Sequence, residues 1–344
     1  MPSIPGSLTD ALTLDRPADP AGASAMLALR GLTVEFPTIA GPPRTVIRDL
    51  DLDIAPGEIF GLVGESGAGK TTLARSLLRL PPEPGRIASG AILFKGRDLM
   101  QLGEPELERM RGRDLSMIVP NPRSELNPLI PVGDQIMTMA RIHLKASRRD
   151  AHRMALDMLR AVQIPDPERR MTAFPHEMSG GMAQRIVIAI SLVCSPSFIV
   201  SDDATSGLDV TVQAQVLDLL GKLAADRGSA MLFITRDIGI TAHFCRRVAV
   251  MYNGEIMEVA PRDAFFFEPR HPYTVMLMAA FSHNPRLRRM WAPPEPLPGV
   301  ATPASACPYL ARCPLAQERC RHERPELREL APGQFARCHF PVRP

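Results

Sequence analysis

Hydrophobic residues first recur with a strand's two-residue period at Met26, in the run MLALRGLTVEF. Short apolar runs rich in β-branched residues then return at 59–63, 116–119, 197–201, 230–235 and 247–251. Between them, residues 71–80 and 212–225 carry the 3.6-residue period of amphipathic helices. Strands alternating with helices over 26–262 predict an α/β domain on a mainly parallel sheet. Residues 105–173 break that rhythm. They offer amphipathic helices, most plainly at 150–162 with Met154, Leu156, Met158, Leu159 and Val162, but little strand signal, so a helical insertion is expected at about 105–180.

The flanks read differently. Residues 1–25 are rich in Pro, Ala, Gly and Ser without apolar period, which predicts a disordered extension, or a chain that properly starts at Met26. From 263 to 344 prolines crowd the sequence and four of the six cysteines gather, which predicts a separate, loop-rich C-terminal module. The longest apolar stretch, 186–200, is interrupted by Ser191, Ser195, Pro196 and Ser197 and falls short of the roughly 18 residues of a membrane span. Any membrane role is therefore expected to be peripheral.

Composition narrows the class without naming it. At about 150 residues per domain, 344 residues suit two domains, or one large domain with an appendage. Forty Lys+Arg against 37 Asp+Glu, a net +3, argue against both a polybasic nucleic-acid binder and an acidic disordered tail. The N-terminus lacks the basic start and apolar centre of a secretory signal, and the cysteines suit a reducing compartment, so the cytoplasm is expected.

Candidate chemistry begins at residues 59–72, IFGLVGESGAGKTT. A short apolar strand runs into Gly64, Glu65, Ser66, Gly67, Ala68, Gly69, Lys70 and Thr71, the pattern G-x-x-x-x-G-K-[ST], with Thr72 continuing into a helix. Glycines let the backbone fold into a nest of N–H groups aimed at phosphate oxygens. Lys70 reaches the terminal phosphates, and the Thr71 hydroxyl is placed for Mg²⁺. The alternative is a Gly-rich turn with no ligand; eight matched positions in a strand-to-helix context favour a nucleotide. Further on, the apolar run 198–201 ends in Asp202 and Asp203, and a carboxylate at such a strand end can hold the Mg²⁺. That role is expected of Asp202.

Between these elements stands PHEMSGGMAQR, residues 175–185, followed by the helical run IVIAISLV. It resembles the signature of ABC-transporter ATPases, and Gly207-Leu208-Asp209 resembles their D-loop. The resemblance implies a P-loop ABC ATPase domain with a helical subdomain insertion. It also implies that Ser179, Gly180, Gly181 and Gln184 act on ATP held by another subunit, the first three as an anion site at a helix N-terminus. The match is closer still to the ATP-binding subunits of oligopeptide, dipeptide and nickel importers and runs from Met26 to the C-terminus. His271-Pro272-Tyr273-Thr274, Leu297-Pro298-Gly299 and Arg312-Cys313-Pro314 look like that family's small, Cys-containing C-terminal extension. Implied partners are a second ABC ATPase subunit, two membrane permease subunits and, indirectly, an external solute-binding protein, with no nucleic acid. The implied place is the cytoplasmic face of the inner membrane. A water-soluble ABC scaffold of an enzyme complex is the second reading; co-purification with permeases discriminates the two.

Three positions depart from the family's pattern. Pro120 stands where a glutamine is usual and has no amide to offer Mg²⁺ or water. Asp203 replaces the usual catalytic glutamate and is roughly 1.5 Å shorter in reach, where a misplacement near 1 Å costs about 10²-fold. Arg236 replaces the switch histidine and is a permanent cation that cannot shuttle a proton. The expectation is a degenerate half, which binds ATP and Mg²⁺ at a slow site and lends its signature to a partner. The alternative is that Asp203 and Arg236 suffice for catalysis. Phe36 is the candidate for stacking on adenine, a ligand-free strand Phe being the alternative. The spacing of Cys307, Cys313, Cys320 and Cys338 is not that of a zinc ribbon; by resemblance the four hold a [4Fe–4S] cluster, with zinc and disulfides as alternatives. Cys194 and Cys245, in apolar runs, are expected in the core.

Overall fold

The computed structural model describes residues 25–281 and 303–342. The expected N-terminal extension, up to residue 24, and Leu297-Pro298-Gly299 lie outside the described residues. In chain order the strands are β1 Leu27–Phe36, β2 Arg44–Ile54, β3 Ile59–Val63, β4 Arg86–Phe94, β5 Arg97–Asp98 and β6 Leu115–Ile118. They continue with β7 Phe198–Asp202, β8 Ala230–Thr235, β9 Arg247–Tyr252, β10 Glu255–Pro261, β11 Arg328–Ala331 and β12 Gln334–Ala336. β2-β1-β4-β5 form an antiparallel sheet, and β11-β12-β10-β9-β3-β8-β7-β6 form a larger one that is parallel from β9 to β6.

The parallel strands are buried on both faces, as continuous apolar runs require. All six residues of β8 are buried, and alternation divides them: Ala230, Leu232 and Ile234 pack with Leu29, Leu73 and Leu77 under the antiparallel sheet, while Met231 and Phe233 pack with Ile188 and Leu220. Burying a side chain such as Phe233 contributes about 3 kcal/mol.

Around the sheets lie α1 Lys70–Leu77, α2 Glu104–Met110, α3 Pro122–Glu125, α4 Val132–Leu144, α5 Arg148–Ala161 and α6 Pro167–Arg170. Next come α7 Gly180–Leu192, α8 Val210–Arg227, α9 Ile238–Phe244, α10 Arg262–Phe267 and α11 Pro272–Phe281. α4 and α5 pack on one another and both on α7, with Ile136, Ala140, Ala155, Leu159, Ala183 and Val187 in their shared core.

The strand expected at 116–119 is β6, which pairs in parallel with β7 from Leu115↔Phe198 to Ile118↔Ser201, so the helical insertion at about 105–180 encloses a strand of the main sheet. One expectation needs correction: the C-terminal segment is not a separate module. β12 adds to β10 through Glu258↔Ala336 and Val259↔Phe335, and β11 pairs with β12, so the segment extends the ATPase sheet itself.

Candidate functional site

A cleft opens at the C-terminal ends of the parallel strands, where α/β sheets place their ligands. It encloses about 320 Å³. After β3 the chain turns through residues 64–69 into α1. Gly64 has no room for a side chain, since a Cβ there would stand 2.3 Å from the Met251 carbonyl oxygen. Gly69 caps α1 at φ 102°, a left-handed conformation that glycine adopts without strain. Ser66, Gly67, Gly69, Lys70, Thr71 and Thr72 face the cleft from this loop. Gly64, Glu65 and Ala68 support it from behind: Ala68 is buried, and Lys70 Nζ donates to the carbonyls of Gly64 at 2.7 Å and Glu65 at 2.9 Å. Burial lowers the pKa of Lys70, while the Asp203 and Asp202 carboxylates pull the other way.

Asp202, at the end of β7, is 2 % exposed, and its Oδ2 has no hydrogen-bond partner. Burial raises its pKa, against the pull of the Thr71 hydroxyl. A buried carboxylate oxygen left unsatisfied beside a threonine hydroxyl fits Mg²⁺ with its water shell, so the residues present suit the ion. Asp203 follows at φ 47°. Its Oδ2 accepts from Nε of Arg236 at 3.1 Å and lies 3.1 Å from Nη2, which donates to the Ser206 hydroxyl at 3.1 Å. Pro120 and Arg236 line the same cleft, so all three departures converge there.

Phe36, the candidate for stacking on adenine, is not among the residues that line the cleft. Its ring packs over Gly85, where even a Cβ would stand 2.7 Å from it, and Val46 of β2 lines the cleft instead. The signature lies outside this cleft. Ser179 caps α7, its hydroxyl accepting the Met182 N–H at 3.3 Å, and it is exposed. A Cβ on Gly180 would meet nothing within 4 Å, so the helix start stands open. Gln184 is buried and its Nε2 has no partner. Asp209 caps α8, accepting the Val212 N–H at 3.0 Å.

The four C-terminal cysteines gather around one cavity of about 10 Å³, with His271 and His339 beside them. Burial raises the pKa of Cys307, of Cys313 to about 11 and of Cys338 to about 12, so these are thiols at neutral pH. The donors are right for a soft metal, but the placement is not. Among the described residues no three His, Cys, Asp or Glu side chains stand close enough to hold a metal ion, and the cavity has room for about one water molecule. The [4Fe–4S] expectation therefore gains no support from the geometry. No disulfide joins any of the six cysteines, and Cys194 and Cys245 are buried in the core, Cys245 against Gly61.

Comparison with known proteins agrees with the geometry. Residues 47–206 match the family described as ABC transporter, and residues 257–320 match the oligopeptide/dipeptide transporter C-terminal region. A probable peptide ABC transporter ATP-binding protein of Sinorhizobium fredii is 43 % identical over 84 % of this chain and 87 % of its own length. The dipeptide transport ATP-binding protein DppD of Escherichia coli is 36 % identical over 92 % and 97 %. The chain belongs to the ABC-transporter ATP-binding proteins of the oligopeptide/dipeptide family. As a member of that family it is an ATP-binding subunit, and ATP with Mg²⁺ is the implied ligand of the cleft. Among solved structures, the dimeric cassette MJ0796 bound to ADP and Pi shares the fold. Its TM-score is 0.62 and its identity 22 %, over 69 % of this chain and 99 % of that one. No helix among the described residues is long and apolar enough to cross a membrane.

The residues that sequence reasoning missed are those that brace the site. Ser206 holds Arg236, Val46 walls the cleft, and Tyr273 and Arg312 both touch Glu65. Tyr273 and Arg312 stood inside motifs already singled out, but without a role.

Proposed function

We propose that this chain is the ATP-binding subunit of an importer for peptides or related small solutes, docked on two permease subunits at the cytoplasmic face of the membrane and supplied by an external binding protein. The two relatives described above carry peptide and dipeptide transport in their names. Residues 64–72 bind the phosphates of ATP, Lys70 their charge, and Thr71 and Asp202 the Mg²⁺. The chain's own site is slow, and Ser179, Gly180, Gly181 and Gln184 complete the hydrolytic site of a second, intact ATPase subunit.

The observation that carries the asymmetry is the Arg236–Asp203 pair. A carboxylate that is to activate water needs a free oxygen in reach of it, and a general base so placed contributes about 10²- to 10⁴-fold. Here Oδ2 of Asp203 accepts from the Arg236 guanidinium and is ion-paired with it, and Pro120 in the same cleft offers no N–H. ATP-driven closure of the pair still does transport work at a slow site, because differential affinity for the closed state is what shifts the equilibrium.

Single-turnover hydrolysis by the purified chain, alone and mixed with its partner ATPase subunit, tests this. The chain alone is expected to bind ATP with little turnover, and the pair to hydrolyse it. Brisk hydrolysis by the chain alone would overturn the asymmetry. For Cys307, Cys313, Cys320 and Cys338 the support is the donor set and the family resemblance alone, and the thiols would have to close in on a [4Fe–4S] group. Iron and sulfide content after anaerobic purification tests it, near-zero iron refuting it.

A further inference from the structure

The C-terminal segment reaches back to the phosphate-binding loop at one residue. Both carboxylate oxygens of Glu65 accept from Arg312, Nη1 to Oε2 at 2.6 Å and Nη2 to Oε1 at 2.9 Å, across 247 residues of sequence. The Glu65 backbone N–H donates to the Tyr273 hydroxyl at 3.1 Å. Its carbonyl accepts from Lys70, the side chain expected to meet the phosphates. Every polar group of Glu65 is thus engaged, two of the three by residues beyond 270. Arg312 is braced in turn. It lies 5.8 Å over the Tyr252 ring, and Tyr252 packs on Tyr273 with ring centroids 4.8 Å apart.

A loop that receives a triphosphate is a poor place for a bare carboxylate, because like charges repel more strongly near a protein surface than in bulk water. A bidentate guanidinium cancels that charge and fixes its direction. We propose that Arg312, with Tyr273, is a positioning residue for nucleotide binding: it neutralises Glu65 and anchors the first turn of the phosphate loop to the C-terminal segment. Affinity for ATP in this chain therefore depends on a segment whose described residues do not line the cleft. This rests on the reading of residues 64–72 as the ATP cradle.

The test is a double-mutant cycle on the full-length chain, read by binding of the fluorescent analogue mant-ATP with Mg²⁺, with thermal unfolding beside it. Arg312→Gln is expected to weaken binding about tenfold, since it leaves Glu65 unpaired beside the phosphates. Arg312→Lys keeps the charge but not the fork, and recovers part of the loss. Glu65→Gln combined with Arg312→Gln removes both charges and is expected to bind within about threefold of wild type. A merely structural role predicts instead that the double variant binds as weakly as Arg312→Gln, and that result overturns the proposal. So does Arg312→Gln binding like wild type while Lys70→Ala loses binding. If Lys70→Ala binds normally, the cradle reading itself fails and takes the proposal with it.

Discussion

Arg236 and Asp203 close on each other across 33 residues of sequence, with Nε and Nη2 of the guanidinium both 3.1 Å from one carboxylate oxygen. The pair joins the ends of two neighbouring strands, β7 and β8, and lies in the cleft beside Pro120. On the proposed reading of a slow site, the two departures act as one device, in which the cation engages the base.

Replacing both members should release the site. Arg236→His with Asp203→Glu restores a titratable switch and a longer carboxylate, and single-turnover hydrolysis is expected to rise about 10²-fold. The substitution has a cost elsewhere. Asp203 sits at φ 47°, which Asp tolerates better than Glu, so the melting temperature should fall, by about 1 kcal/mol in stability. A rate within threefold of wild type would place the block at Pro120.

Ser179 should matter only to the neighbour. A Ser179→Arg side chain fills the open start of α7, and the mixed pair is expected to lose hydrolysis by 10²-fold or more. Binding of ATP by this chain's own cradle should stay within twofold, because Ser179 does not face the cleft. Equilibrium binding and steady-state turnover of the same preparation separate the two.

Mg²⁺ dependence should pass through Asp202. Asp202→Asn removes the buried negative charge, which burial disfavours, so the nucleotide-free chain is expected to melt at the wild-type temperature or above. The extra stabilisation that Mg²⁺ adds to ATP should vanish with it. Melting curves with ATP, with and without Mg²⁺, check this; an unchanged Mg²⁺ increment would remove Asp202 from the metal site.

What could be read from the sequence was whatever is encoded locally. The cradle, the strand before it and the helix after it lie within 14 consecutive residues, 59–72, and each step of that motif constrains the next. The Ser179 cap and the Asp209 cap are local in the same way. What escaped depends on distant partners. Gln334–Ala336 becomes a strand only beside β10. Phe36 alternates properly within β1, but nothing near it in sequence reports Gly85, on which its ring lies. Arg236 was legible as a substitution and Asp203 as another; their pairing needed the sheet to bring the strand ends together.

The same sheet edge supports a pH prediction. Glu258 of β10 is fully buried, and its two oxygens accept the backbone N–H groups of Arg270 and His271, each at 2.8 Å, just ahead of α11. It thereby ties the extended sheet to the helix that carries Tyr273. Burial outweighs these donors and raises its pKa above the ordinary 4.5. An acid with a raised folded-state pKa binds more protons folded than unfolded, so its contribution to stability declines as pH climbs from 4.5 through the folded value. Glu258→Gln cannot titrate, although its amide leaves one of the two N–H groups without an acceptor. The wild type should therefore melt above the variant at acid pH, and that margin should shrink as pH rises to neutrality. Melting temperatures of both chains at half-unit steps from pH 4.5 to 7.5 check it; a margin that widens with pH would mean that the N–H donors, not burial, govern Glu258.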